Sequence, residues 1–335
     1  MWYEVHILDV GDADAIVIKY RATEVSSLVT AVIDAGNVGD GRKVLDCIGK
    51  SSDGKYHIDY AFCTHPDKDH KGGFFDILNN SRVSIGAMCV MDPWEYLEKE
   101  DFTTIKYTSS AKEKARRPFD SPTNNAENLI EIAEKRNVLR VVHCGDTFNG
   151  IPLGVIGPDQ TYYKQCVLGM VEQFAELKEE SDFERFNDKA FPDDVKAKSV
   201  IDEVEDESCT NKSSMVLLFR PTVGVKFLLC GDAASSSLQN IVNKYGDGLK
   251  NCKIKVPHHG SKHNLTTAII DELSPVSAVI SAKGSKKHPN SAVVQWLSKY
   301  CNVYSTHKSG NLVYQSEPVT SPATPLKTKI DTKGE

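Results

Sequence analysis

The chain has no run of roughly eighteen or more consecutive apolar residues, which argues against a transmembrane helix. Its first residues, Met1-Trp2-Tyr3-Glu4-Val5-His6-Ile7, lack the basic start and the apolar run of a secretory signal and read as a first strand. None of the nine cysteines forms a C-x-x-C pair, and the count is odd; Cys63, Cys144 and Cys230 fall in apolar, strand-like stretches. Buried free thiols in a reducing compartment follow, so a cytoplasmic location is the expectation. Positive charge is not in excess: 40 Lys and Arg against 46 Asp and Glu leave a net charge of -6. That balance argues against sequence-independent wrapping of nucleic acid but allows a local basic groove. The sequence also lacks G-x-x-x-x-G-K-[ST] and G-x-S-x-G, and Gly36, Gly39 and Gly41 are wrongly spaced for a dinucleotide fingerprint. P-loop, serine-hydrolase and Rossmann readings fall away.

What remains is an ordinary globular composition, 40% hydrophobic and 26% charged, over 335 residues. β-rich runs at 5–10, 15–20, 29–33 and 58–63 alternate with helical patterns at 41–50 and about 72–78. Strands recur at 139–144, 153–156, 215–219, 226–230 and 253–256, with helices at 126–136 and 233–244 and a strand–helix pair within 277–300. Two such blocks with an acidic segment between them predict an α/β sandwich built from two halves. Stretches of about 92–138 and 160–210 read as insertions into one domain over 1–315, and the Pro-, Ser-, Thr- and Lys-rich tail over 316–335 as disordered. The second insertion ends in Asp202-Glu203-Val204-Glu205-Asp206-Glu207; charge blocks of this kind are usually solvated faces or mobile segments.

The chemistry concentrates at His65-Pro66-Asp67-Lys68-Asp69-His70, four candidate ligands within six residues directly after an apolar strand. Imidazole and carboxylate together suit zinc, manganese or iron better than calcium. Alternate side chains of an extended loop can converge on one point, His70 turns in from the next helix, and Gly72-Gly73 removes bulk where substrate approaches. Asp232, just past the strand Phe227-Leu228-Leu229-Cys230, is placed to bridge two ions, although a helix N-cap explains it equally well. His258-His259-Gly260-Ser261 and His288 stand after later strands.

Asp9-Val10-Gly11-Asp12-Ala13-Asp14-Ala15, Val32-Ile33-Asp34-Ala35-Gly36, Thr64-His65-Pro66-Asp67-Lys68-Asp69-His70-Lys71-Gly72-Gly73, Asn211-Lys212-Ser213-Ser214, Gly231-Asp232 and His258-His259-Gly260-Ser261 occur in this order. So arranged, the chain resembles the hydrolase domain of ComEC-type DNA-uptake competence proteins, a branch of the metallo-β-lactamase superfamily, over roughly residues 3–310 apart from the insertions. The resemblance implies a four-layer αββα sandwich and one or two ions, Zn2+ or Mn2+. It implies that His65 and Asp67 hold one ion, Asp69 and His70 the other, and that Asp232 bridges. His258 or His259 then completes the second ion's set of ligands, while Asp34 and Asn211 support the ligands from behind. Asp69, His288 and Lys262 are the candidates for catalytic roles, with Ser261 and Lys262 facing substrate phosphate. Two departures stand out: Asp67 replaces the superfamily's second histidine, and Asn211 and Ser214 occupy the stretch where its third-motif histidine is expected. His143 is on an earlier strand and reads as structural. The first ion's shell is therefore thinner and harder, which shifts preference toward manganese.

The implied activity is hydrolysis of a phosphodiester in nucleic acid or a nucleotide. Basic residues at Lys112, Lys114, Arg116 and Arg117, or Lys283, Lys286 and Lys287 near His288, are candidates for tracking a phosphate backbone, with a solvated face as the competing reading. One rival is a small-molecule ester, lactone or cyclic-nucleotide hydrolase on the same site; another is a degenerate, non-catalytic interaction module. Lacking a membrane channel, the chain is expected to act as a stand-alone protein or with a separately encoded partner.

Overall fold

Strands that are apolar on both faces must be covered on both faces, and the order of elements follows from that requirement. The structure is a computed structural model that describes residues 1–98, 111–123, 127–173, 187, 190–285, 287–316 and 323–330; Lys286 and the side chain of Lys114 lie outside the described residues. The strands are β1 (Trp2–Ile7), β2 (Ala15–Arg21), β3 (Val29–Ala35), β4 (Tyr56–Phe62), β5 (Val83–Val90), β6 (Leu139–Val141), β7 (Thr147–Phe148), β8 (Ile151–Gly157), β9 (Val216–Thr222), β10 (Val225–Leu229), β11 (Lys253–Lys255), β12 (Ser277–Ile280), β13 (Val303–Ser305) and β14 (Leu312–Gln315). The helices are α1 (Gly41–Ile48), α2 (Lys68–Leu78), α3 (Ala111–Arg116), α4 (Leu129–Lys135), α5 (Gln160–Gln173), α6 (Asp194–Ile201), α7 (Cys209–Lys212), α8 (Ser235–Tyr245), α9 (Thr267–Leu273), α10 (Ser291–Leu297) and α11 (Thr306–Ser309).

Among the described residues the strands form two seven-stranded sheets, in the orders β14-β1-β2-β3-β4-β5-β6 and β13-β12-β11-β10-β9-β8-β7. Alternation along β2 shows how they stack. Ile16, Ile18 and Tyr20 join an apolar cluster with Leu217, Phe219 and Phe227 of the second sheet, whereas Ala15 and Val17 pack on the opposite face with Val44, Phe74 and Ile77 of α1 and α2. The second sheet's outer face is covered by Leu238 and Ile241 of α8, Ile269 and Ile270 of α9, and Val293 and Trp296 of α10. Helices thus lie outside both sheets, an α/β sandwich in the layer order helix, sheet, sheet, helix. A buried ion pair, Lys255 Nζ with Asp14, ties the second sheet to the loop between β1 and β2.

Four expectations are corrected. The helix expected from about Gly72 begins at Lys68, so Asp69 joins His70 in its first turn. Gly72 and Gly73 do not open the site: an added Cβ would lie 2.5 Å from Val38 N and 2.1 Å from Ala35 O, so they let α2 pack on the loop after β3. Arg116 is not a free member of a basic patch but is buried, its guanidinium donating to Asp92. The tail is ordered in part, because Leu326 is buried and Lys327 pairs with Val303 of β13.

Candidate metal centre

Three imidazoles are fixed by three different partners of Nδ1. Asp34, whose φ of 55° is left-handed, accepts from Thr64 N at 2.8 Å and from Thr64 Oγ1 at 2.7 Å. With its proton committed to Asp34, the Thr64 hydroxyl accepts from His65 Nδ1 at 3.1 Å. The same Asp34 carboxylate accepts from His70 Nδ1 at 2.8 Å, and Ser281 O accepts from His259 Nδ1 at 2.9 Å. A proton on Nδ1 leaves Nε2 with its lone pair, the arrangement that second partners impose on metal-binding histidines. The Nε2 atoms of His65 and His70 are buried without a hydrogen-bond partner.

Asp232 stands where these atoms meet. It follows Gly231, whose φ is 52° and where a Cβ would come within 2.8 Å of Thr64 Oγ1, so the loop after β10 approaches the His65 loop as only glycine permits. Asp232 caps no helix: α8 starts after Ala234, and the Asp232 carboxylate accepts from His258 N at 3.1 Å. Asp69, His70, Asp232 and His259 each offer an atom within 4.8 Å of all the others. Within this group His259 Nε2 is 3.1 Å from Asp69 Oδ2, and His70 Nε2 is 3.3 Å from Asp232 Oδ1. On the other side, His65 Nε2 lies 3.8 Å from Asp67 Oδ2 and 4.0 Å from Asp232 Oδ2. Buried His and Asp groups here can hold a metal ion.

His258 is placed apart from His259. Its Nδ1 donates to Asp206 Oδ2 and to Asn264 Oδ1, both at 3.0 Å, and its Nε2 is 3.9 Å from Asp232 Oδ2. Asn211 Nδ2 donates to Asp206 at 2.7 Å, and its Oδ1 is buried without a partner. Ser214 Oγ accepts from Asp232 N at 3.1 Å. The His288 ring is 5.3 Å from that of His258, and its Nδ1 is buried and unpartnered. Lys262 pairs with Glu203 at 3.7 Å, and Ser261 is buried and accepts from His263 N at 3.2 Å. His143 is exposed and stacks on Tyr96, away from this cluster.

The acidic run is solvated in part, with Asp202, Glu203, Val204 and Glu207 exposed, yet three of its carboxylates are engaged. Asp202 accepts from Thr267 N, Glu205 from Ser236 N, and Asp206 enters the site, so residues 202–206 form a strap over the starts of α8 and α9. Thr210 adds a hydrogen bond to Asp67. Asp206, Asn264 and Thr210 were missed because side-chain inventory and charge runs carry no information on which residue points inward.

Charge in the cation-free centre follows burial and neighbours. Desolvation of the inner part of Asp67, whose side chain is still 37% exposed, and repulsion from Asp69 push its carboxyl up to about 6. Burial works against charge on His70, but the carboxylates of Asp232, Asp34 and Asp69 outweigh it and hold the imidazole well above its ordinary range. Desolvation pulls His65 down to about 3, with His70 adding to the effect. At His258 burial is outweighed by Asp232 and Asp206, and the group rises to about 9. Burial lowers His288 to about 3, helped by the neighbouring His258 and His259.

Among known proteins, the chain is similar to ComE operon protein 3 of Bacillus subtilis, with 33% identity over 116 residues. The match takes in 34% of this chain and only 15% of that protein's length. No family model matches. No helix among the described residues is long and apolar enough to cross a membrane.

Proposed function

We propose that this chain is a metal-dependent hydrolase of the metallo-β-lactamase fold, acting on phosphodiester bonds in nucleic acid or nucleotides. His65 and Asp67 would hold one divalent ion and Asp69, His70 and His259 another, with Asp232 available to both. The observation that carries this reading is the pair of buried imidazole nitrogens, His65 Nε2 and His70 Nε2, that no protein group satisfies, on either side of one buried carboxylate. Buried polar atoms without partners are rare and costly, so two in one centre point to a ligand. The mixed nitrogen and carboxylate donors fit Zn2+ or Mn2+, with the oxygen-richer His65 side favouring Mn2+. When bound, such ions supply Lewis acidity toward water and toward the oxygens of a phosphoryl or carbonyl group.

The protein's own groups have distinct tasks. Asp34, Thr64 and Ser281 hold the imidazoles in one tautomer. Asp69, whose carboxylate is held below its usual range despite burial by His70 and His259, remains an anion that orients water and cation together. His288 is neutral near pH 7 and can donate to a developing oxyanion. Lys262, partnered only by the solvent-exposed Glu203 among the described contacts, can exchange that carboxylate for a substrate phosphate. The similarity to ComE operon protein 3, over 15% of that protein's length, favours a nucleic-acid substrate. One observation favours the small-ester reading: the strap covers the His258 side of the centre, where Asp206 accepts from His258 Nδ1 at 3.0 Å. The test is cleavage of single- and double-stranded DNA, RNA, cyclic nucleotides and a chromogenic phosphodiester as salt is raised. Polymer cleavage that falls steeply with salt supports nucleic acid; salt-insensitive cleavage of small esters alone supports the second reading; inertness toward all of them removes the catalytic claim.

A further inference from the structure

We propose that His258, oriented by Asp206, completes the donor set around His65 and Asp67, standing in for the histidine absent from the stretch before β9. The inference rests on the two-ion reading above and adds a ligand and a positioning residue to it.

Three observations converge. First, the two nearest partners of His258 Nδ1, Asp206 Oδ2 and Asn264 Oδ1, are acceptors at 3.0 Å, and the third, Asn211 Nδ2 at 3.4 Å, donates to Asp206 at 2.7 Å, so Nδ1 keeps its proton and Nε2 is the atom left to face an ion. Second, that Nε2 lies 3.9 Å from Asp232 Oδ2, the oxygen that is 4.0 Å from the buried, partnerless His65 Nε2; His65 Nε2 is in turn 3.8 Å from Asp67 Oδ2. A tetrahedron with bonds of about 2.1 Å has edges of about 3.4 Å, so each of these pairs needs to close by only about half an ångström. Third, His258 and His259 have φ of 45° and 52°. Consecutive left-handed residues other than glycine cost about 1–3 kcal/mol each and persist where the surroundings enforce them. Their effect here is to aim neighbouring side chains at one oxygen: His258 Nε2 and His259 Nε2 are 3.9 and 3.8 Å from Asp232 Oδ2, whereas an extended pair would diverge.

Asp206 is itself braced. Asn211 and Asn264 donate to its carboxylate at 2.7 and 3.0 Å, and Asp202 and Glu205 anchor the strap to α9 and α8. The acidic strap is therefore the scaffold of the first ion's second histidine.

The test is calorimetric titration of the metal-free chain with Mn2+ or Co2+, with bound ions counted by elemental analysis and the cobalt form followed by visible absorption. His258→Asn is the variant of choice because asparagine tolerates the left-handed region; circular dichroism checks its fold. The natural chain is expected to take two ions. His258→Asn should keep one at natural affinity, weaken the other at least about tenfold, and shift the cobalt spectrum. Asp206→Ala should weaken the same ion by about 10- to 100-fold, the scale for loss of an orienting partner, and Asp206→Asn, which keeps an acceptor, should recover most of that. Two ions at unchanged affinity and an unchanged cobalt spectrum in His258→Asn overturn the assignment. If the natural chain takes a single ion, the assignment stands when His65→Ala and His258→Asn both weaken it, and falls when only Asp69→Ala does. A natural chain that takes no ion overturns the metal-centre reading as a whole.

Discussion

The two sides of Asp232 differ in how completely the protein assembles them. On the Asp69–His70–His259 side, donor atoms gather within 4.8 Å of one another. On the His65–Asp67–His258 side the described residues form no such group: His65 lies 3.8 Å from Asp67, His65 and His258 lie 4.0 and 3.9 Å from Asp232, and Asp67 keeps 37% side-chain exposure. The compact side is built by rigid elements: Asp69 and His70 sit in the first turn of α2, and His259 is tied to Ser281 after β12. The open side depends on a loop and on a strap from an insertion. Rigid elements preorganise a tight site, and loop-borne ligands leave one that tightens on loading, so the compact side should fill first.

The largest effect that can break this comparison is expected from Asp69→Ala combined with His70→Ala. Phosphodiester cleavage should fall by about three orders of magnitude or more, the scale of losing a catalytic unit, with the tighter ion lost in parallel. Retained cleavage would detach catalysis from the compact side. Next comes the buried pair that braces this side from behind, where Asp14 N donates to Asp69 O at 3.1 Å and Asp14 pairs with Lys255. Lys255→Met leaves Asp14 buried with only His259 Nδ1, 3.7 Å away, as a counter-charge and should cost about 3–5 kcal/mol in urea unfolding, whereas Asp14→Leu with Lys255→Met should recover most of it. No recovery would mean that the pair matters to more than charge balance.

Proton release sharpens the comparison further. His258 is raised to about 9 in the cation-free protein, above its unfolded value, so its contribution to stability is present below about 6.5 and lost as pH rises through about 9. Loading must displace that proton, and ion affinity on the open side should climb between pH 7 and pH 9. Calorimetry in buffers of different ionisation enthalpy counts the protons; a pH-independent affinity would show that His258 is not displaced from its charged state. The smallest expected effect lies outside the centre. Lys283, 62% exposed beside Asp12, and Lys287 are the described remnants of one basic patch. Replacing both with Ala should lower the slope of nucleic-acid affinity against salt by about one per lost contact, with cleavage of a small phosphodiester unchanged.

Much of the fold was legible because strands such as β2 and β3 are buried on both faces and their turns are punctuated by glycine. The cluster from His65 to His70 was legible because ligand types crowd a short span after a strand. What could not be read was direction. Asp206 looks like its neighbours in an acidic run, and only tertiary packing turns it toward His258. Arg116 reads as one of four exposed basic residues until Asp92, 24 positions earlier, is found beside it in the core. Gly72 and Gly73 signal a close approach, but the sequence does not say that the approaching group is the backbone of Ala35 to Val38.

The most direct test of the two-sided centre is an anomalous difference map from crystals grown with Mn2+. Two peaks about 3.5 to 4 Å apart, with Asp232 between them and the peak beside Asp69, His70 and His259 the stronger, are the predicted result. An absence of peaks at Asp232, or a peak only at some remote site, would contradict the account.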